Sequence, residues 1–517
     1  MAASLKKNRP CYVTTPIYYV NAKPHIGHAY TTILCDTFAR FYRFLGHEVY
    51  FLTGTDEHGE KIEKTAQQQG VPTIEYVDQV SERFRALWND LGITHDDFIR
   101  TTEQRHIEVV HCVLQQLHAK GDIYLGKYKG WYCTPCETFW TQSQLEKGNC
   151  PDCKRPTQEL EEDNYFFKMS KYQDWLIDYI KAHERFIVPQ SKEKEVLSFL
   201  KEPLEDLCIS RPIARMAWGI PLPFNADHVL YVWFDALINY ISAIKYGKDN
   251  EYFNKYWPAT IHFMAKDILR QHAIYWPIML HALGLEMPEY VLAHGYWTME
   301  GAKMSKSVGN IADPYDVIAA FNRDTLRYFL LKEVRLGLDG AYADEYVAGR
   351  FATDLANDLG NLIHRSFSML EKYKGGVLPK AHADDTYGPI KKAALALGPA
   401  ISEAMVEKLD PREALTVLWE FIGMINKLIE DTKPWTLAKD PAHAAALEDF
   451  LYVLFESLRF IAVTLVPFMP DTAEKILELL QQETTCTIDE IRTWGGLKAG
   501  IKLEKGDPLF PKLEEKK

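Results

Sequence analysis

Residues 11–53 run CYVTTPIYYVNAKPHIGHAYTTILCDTFARFYRFLGHEVYFLT, and this stretch decides the fold. Residues 11–18 are apolar and rich in residues that favour extended backbone. Asn21-Ala-Lys-Pro24 reads as a turn, and residues 26–45 carry apolar side chains at helical spacing up to Gly46. A second strand pattern occupies 49–53. Strand, helix and strand at this spacing form a βαβ unit, which requires a parallel sheet and a right-handed crossover.

Outward from this unit the alternation continues, is interrupted, and resumes. Residues 119–221 hold short strand patterns, aromatics and a group of cysteines, and read as an insertion. Strand patterns return at 228–233, 261–265 and 290–295. From about 352 the pattern is helical, at 355–373, 387–409, 412–430, 444–466 and 472–481. Alternating α/β followed by a run of helices predicts a nucleotide-binding domain joined to a helical domain. The most hydrophobic stretch, 450–469, carries Glu456 and Arg459 and meets Pro467, so it reads as a core helix rather than a membrane span. The first residues lack the apolar run of a signal peptide, which predicts a cytoplasmic protein without membrane attachment. The formal charge of −12 speaks against nucleic acid only weakly, because phosphate binding depends on local fields.

No Walker-type lysine loop or dinucleotide glycine fingerprint is present. Instead His25-Ile-Gly-His28 stands between the first strand and its helix, where backbone N–H groups and the positive helix end favour a polyphosphate. Two imidazoles add donors for charge moving onto leaving oxygens. Gly27 would let a purine lie against the backbone. Far along the chain, Lys303-Met-Ser-Lys-Ser307 lies between Gly301 and Gly309, and two ammonium groups on such a loop can close over a triphosphate. Either motif alone is also compatible with a plain surface turn or a solvated basic loop.

Cys133-Thr-Pro-Cys136 and Cys150-Pro-Asp-Cys153 are two paired-cysteine knuckles. Four thiolates at this spacing suit one tetrahedral zinc with no position left for water, hence a structural ion. The other cysteines, Cys11, Cys35, Cys112, Cys208 and Cys486, read as free thiols.

The two phosphate motifs together resemble the signatures of class I aminoacyl-tRNA synthetases. Pro16-Ile-Tyr-Tyr-Val-Asn, Gly54-Thr-Asp-Glu-His-Gly, Trp218-Gly-Ile-Pro, Tyr231-Val-Trp-Phe-Asp-Ala, Lys266-Asp-Ile and His294-Gly-Tyr-Trp are similar to the methionine enzymes of that class. The resemblance implies that L-methionine is activated by ATP with Mg2+ and passed from methionyl-adenylate to tRNA(Met). It places ATP on Pro16, His25, Gly27, His28, His294, Gly295, Lys303, Met304, Ser305 and Lys306, with His25, His28, Lys303 and Lys306 acting in the chemistry. It places the methionine side chain among Ile17, Tyr19, Trp233, Ala236, Tyr240, His272 and Tyr275, and its ammonium on Asp56. Trp233, Ala236 and Tyr240 share one face of a helix, a spacing that also fits plain core packing. Gln271 stands where some family members carry an aromatic.

In the helical part, Asn361, Arg365 and Trp435 match positions that touch the anticodon, as splayed bases stacked on an indole require. A polar pair on a helix surface is the plain alternative. The implied architecture is a Rossmann-like parallel-sheet catalytic domain (1–118 and 226–298), interrupted by a zinc-knuckle connective domain (119–225). A stem-contact region with the lysine loop (299–350) and an all-α helical-bundle anticodon-binding domain (351–517) follow. The partners implied are tRNA(Met), through its acceptor end and anticodon, L-methionine and ATP. The chain shows no further β-rich module of the kind that dimerises longer relatives, so a monomer is expected. Another synthetase of the same class and a non-catalytic tRNA-binding relative are the rival readings.

Overall fold

A computed structural model describes residues 9–21, 23–136, 138–140, 142–299, 302–303, 312–382 and 386–511. The chain divides into two units, one of residues 9–35 and 49–295, the other taking 36–48 and 296 onward.

The first unit is built on the expected βαβ. Cys11–Thr14 pairs in parallel with Val49–Asp56, and the helix between them is Ile26–Phe44. Both strands are buried along their whole length, as strands covered on two faces are. The seven-stranded sheet runs in the order Tyr18–Tyr19, Val49–Asp56, Cys11–Thr14, Ile261–Ala265, Tyr290–His294 and Ile187–Val188, with Asp97–Arg100 also pairing with Val49–Asp56. Each of these pairings is parallel. At Gly54 a Cβ would lie 2.0 Å from the carbonyl oxygen of Ile99, so only glycine permits the two strands to approach there.

The residues between 119 and 225 depart from the alternation as expected. Ile123–Cys133 and Gln158–Phe167 form a long antiparallel pair, Thr138–Trp140 adds to its tip, and Leu207–Cys208 adds to its other edge. A separate sheet joins Ser210–Pro212, Asn225–Leu230 and Pro221–Leu222. The strand expected at 228–233 is Asn225–Leu230, and Val232–Leu237 is already helical. An apolar run of this length does not reveal its own backbone state.

The second unit is mainly helical. Ala444–Leu465 is buried on almost every side, and the two charges in its middle pair as Glu456–Arg459, 2.5 Å apart. The same carboxylate accepts N–H groups of Gly495, Gly496 and Leu497, so it also pins the chain that follows. A buried, paired carboxylate explains why this apolar stretch is a core helix. Among the described residues no helix is long and apolar enough to cross a membrane. The helix expected over 355–373 is two segments, a π-helical Phe351–Gly360 and an α-helical Asn361–Lys374.

Candidate functional site

The residues singled out by the sequence fall in four groups. The first lies where Ile26–Phe44 begins. Gly27 donates its N–H to Nδ1 of His25 at 3.0 Å, and His25 donates its own to Nδ1 of His28 at 3.1 Å. Both Nδ1 atoms are therefore acceptors, and the ring proton of each histidine sits on Nε2. The two rings lie 3.9 Å apart. Two N–H donors thus stand side by side at a helix N-terminus, an arrangement suited to anionic oxygens. A Cβ on Gly27 would come within 2.9 Å of the His25 ring, so this glycine is required by the histidines themselves. Tyr18 supports the pair, with its ring 5.2 Å from His28 and its hydroxyl bonded to Thr32 at 2.6 Å.

His294, at the end of Tyr290–His294, joins this cluster through Thr31, at 2.7 Å from its Nε2. Its Nδ1 donates to the carbonyl of Gly295, so Nε2 is the acceptor. Burial pushes the His294 imidazole down to about 4, which keeps it neutral near pH 7. Pro16 is buried at the end of the neighbouring strand Cys11–Thr14. Met304, Ser305 and Lys306 lie outside the described residues, and of Lys303 only the backbone is described, in a short strand paired with Thr298.

The second group comprises the residues expected to line the amino-acid pocket. Tyr19 and Asp56 are partners in register across two parallel strands, and Asp56 is buried. Tyr240 and His272 meet through a 2.7 Å hydrogen bond from the phenol to Nε2, because Nδ1 of His272 donates to the carbonyl of Ile268. Burial pushes His272 down to about 4, so its neutral ring suits an apolar substrate. Ile17 and Tyr275 pack against the buried core that contains Tyr240. Trp233 and Ala236 lie on Val232–Leu237, but the helix breaks at Ile238 and Tyr240 belongs to a second segment, Asn239–Ser242. The single helical face expected for these three residues is corrected to two short helices. Gln271 opens the π-helical turn Gln271–Tyr275, and its buried amide oxygen has no hydrogen-bond partner among the described residues.

Several residues in this unit were given no role by the sequence. Trp276, fully buried, has its ring 5.8 Å from Tyr240 and donates to His262, which in turn bonds Thr14. Arg211, also buried, lies over the rings of Tyr231 and Tyr132. Asp235 bonds His58 and His106, each at 2.7 Å. Burial pushes the Asp235 carboxyl up, and the two imidazoles more than offset it, holding it below the usual carboxylate range. Their common feature is a long sequence separation between partners, which local spacing does not display.

The third cluster is the four cysteines, which the structure brings together. Their sulfurs all lie within 4.8 Å of one another, with Cys133–Cys153 at 3.4 Å and Cys136–Cys150 at 3.8 Å. Tetrahedral zinc with sulfur at about 2.3 Å needs sulfur–sulfur edges of about 3.8 Å, so the set fits such an ion. Trp131, Trp140 and Leu145 pack around it as a satellite core. The cluster can hold a metal ion.

In the helical unit, Arg365 pairs with Glu430 at 2.5 Å, which brings it to the last turn of Pro411–Thr432. Lys433, left-handed at φ 50°, turns the chain from there into Pro434–Leu437, where Trp435 is 41% exposed. Asn361 is exposed one helical turn before Arg365. The exposed indole of Trp435 suits a stacking base.

Comparison with known proteins agrees with this geometry. The family model described as tRNA synthetases class I (M) matches residues 11–161 and 155–367, and that for the anticodon binding domain of methionyl tRNA ligase matches 392–517. The methionine–tRNA ligase of Clostridium tetani is 49% identical over 508 residues, covering 97% of this chain and 78% of the relative. That of Thermotoga maritima is 44% identical over 510 residues, covering 98% of this chain and 80% of the relative. The Mycobacterium tuberculosis methionyl-tRNA synthetase solved with methionyl-adenylate superposes with a TM-score of 0.92 at 40% identity, covering 98% of this chain and all of that one.

Proposed function

The chain belongs to the class I methionyl-tRNA synthetases, and from that membership we infer that it ligates L-methionine to tRNA(Met) through a methionyl-adenylate. The observation that carries the inference is near full-length likeness to a relative solved with methionyl-adenylate. A methionine carboxylate oxygen bonds to the α-phosphorus of ATP while the bond to the bridging oxygen of pyrophosphate breaks. The 2′-hydroxyl of the terminal adenosine then takes the aminoacyl group, and AMP leaves.

The roles proposed for individual residues rest on their placement. His25 and His28 offer Nε2–H donors to the pyrophosphate oxygens as charge develops there, a contribution of about 3 kcal/mol each by comparison with other oxyanion donors. Lys303 and Lys306 act on the same oxygens, with Met304 and Ser305 carrying them, and Mg2+ accompanies ATP as a counter-charge. His294, Gly295, Gly27 and Pro16 border the nucleotide. Asp56 holds the methionine ammonium, and Ile17, Tyr19, Trp233, Ala236, Tyr240, His272 and Tyr275 enclose the thioether, for which an aromatic, uncharged wall is suited.

Zinc is the ion proposed for Cys133, Cys136, Cys150 and Cys153, since a closed tetrahedral set of sulfurs favours it. Asn361, Arg365 and Trp435 are proposed to read the anticodon. The labour is divided among 1–118 with 226–298 for activation, 119–225 for the knuckle, 299–350 for the stem and 351–517 for the anticodon.

Mixing the chain with methionine, α-labelled ATP and pyrophosphatase, without tRNA, tests the first half-reaction. Labelled adenylate should accumulate on the protein in about equimolar amount, and His25→Ala should slow its formation 100-fold or more, roughly. No adenylate from the wild-type chain would contradict the function. Unslowed formation by the variant would contradict the role of His25.

A further inference from the structure

Asp235 is buried to 1% exposure, and both its oxygens are engaged by imidazoles. Oδ2 lies 2.7 Å from Nδ1 of His58, and Oδ1 lies 2.7 Å from Nε2 of His106. A carboxylate only accepts, so both nitrogens carry protons. The far nitrogen of His106 continues to the hydroxyl of Ser242 at 2.8 Å. His106 and Ser242 are fully enclosed as well, at 0% and 1% exposure. This polar chain joins four elements: the end of Val49–Asp56, the helix Gln104–Ala119 and the two short helices from Val232 to Ser242.

Its position is what gives it a role. His58 stands two residues beyond Asp56, and Asp235 stands between Trp233 and Ala236. The loop at His58 is fixed from other sides too. Glu57 accepts from Thr55, Arg100 and Thr102, its carbonyl accepts the indole N–H of Trp218, and Gly59 donates to the carbonyl of Trp218. A buried carboxylate is costly to hold, and apolar side chains of the same volume would pack these elements as well. What they would not do is fix one register between them.

We propose that Asp235 is a positioning residue, which, through His58, fixes the strand end that carries Asp56 relative to the helix that carries Trp233 and Ala236. It thereby sets the distance between the ammonium partner and the side-chain wall of the amino-acid site. The proposal rests on the assignment of Asp56, Trp233 and Ala236 to methionine. The nucleotide cluster at His25 and His28 uses none of these bonds, so the effect falls on one substrate.

The test is methionine-dependent ATP–pyrophosphate exchange by the full-length chain, with Michaelis constants for both substrates. Asp235→Asn sets an amide N–H against one of two imidazole N–H groups. It should raise KM for methionine by about 10- to 100-fold while KM for ATP stays within about twofold. Ser242→Ala keeps Asp235 and both imidazoles but frees the far end of the chain, and should raise KM for methionine about threefold. A variant Asp235→Asn with both constants unchanged, or both raised alike, overturns the proposal. Where that variant does not fold, an unchanged KM for methionine in Ser242→Ala overturns it instead. Wild-type protein without methionine-dependent exchange would overturn the assigned function, an outcome distinct from either of these.

Discussion

His272 and His294 are pushed by burial down to about 4, against about 6.5 for an imidazole in an unfolded chain. Between these values the unfolded chain binds protons that the folded chain refuses. The stability they contribute is therefore complete above pH 6.5 and is lost as pH falls toward 4, by up to about 3 kcal/mol for each ring. Urea midpoints between pH 7 and pH 4.5 should fall steeply, and His272→Asn should flatten the slope by up to one proton. An unaltered slope would contradict the buried neutral ring. Residues of this kind divide in what the sequence discloses. His25, Gly27 and His28 are neighbours in the chain, so their pattern is visible in four letters. Asp235 with His106, or Tyr240 with Trp276, meet across long separations, and no local spacing marks them.

At the scale of elements, the βαβ unit was legible because each of its parts has a strong periodic or terminal signal, ending at Gly46 in a positive φ of 86°. Boundaries were less legible where packing decides them. Val232–Leu237 follows a strand without any polar break, and Phe351–Gly360 widens to a π-helix just before Asn361. The cysteine knuckles were the clearest element, since two paired-cysteine motifs at short spacing mark a metal site by themselves. Among the described residues, Trp131, Trp140 and Leu145 form the core around them, too few to hold the hairpin tip. Elemental analysis should give one zinc per chain. Cys150→Ser should lose it and speed amide hydrogen exchange from Trp131 to Cys153, while exchange in the parallel sheet stays slow. A tip equally protected without the metal would contradict a structural role for it.

On the scale of the whole molecule, the proposed division gives activation to the parallel-sheet unit and anticodon reading to the helical one. Replacing Trp435 by Ala removes a stacking surface worth about 1–3 kcal/mol per base. It should raise KM for tRNA by roughly 10-fold or more and leave pyrophosphate exchange unchanged. Equal loss of both activities would contradict the placement of anticodon reading in the helical unit. The net charge of −12 predicted none of this, since phosphate binding depends on local fields rather than the total. The most direct test of the central claim is pyrophosphate exchange measured with each of the twenty amino acids in turn, without tRNA. Methionine should support exchange far above every other amino acid, and preference for another one, or exchange with none, would contradict the account.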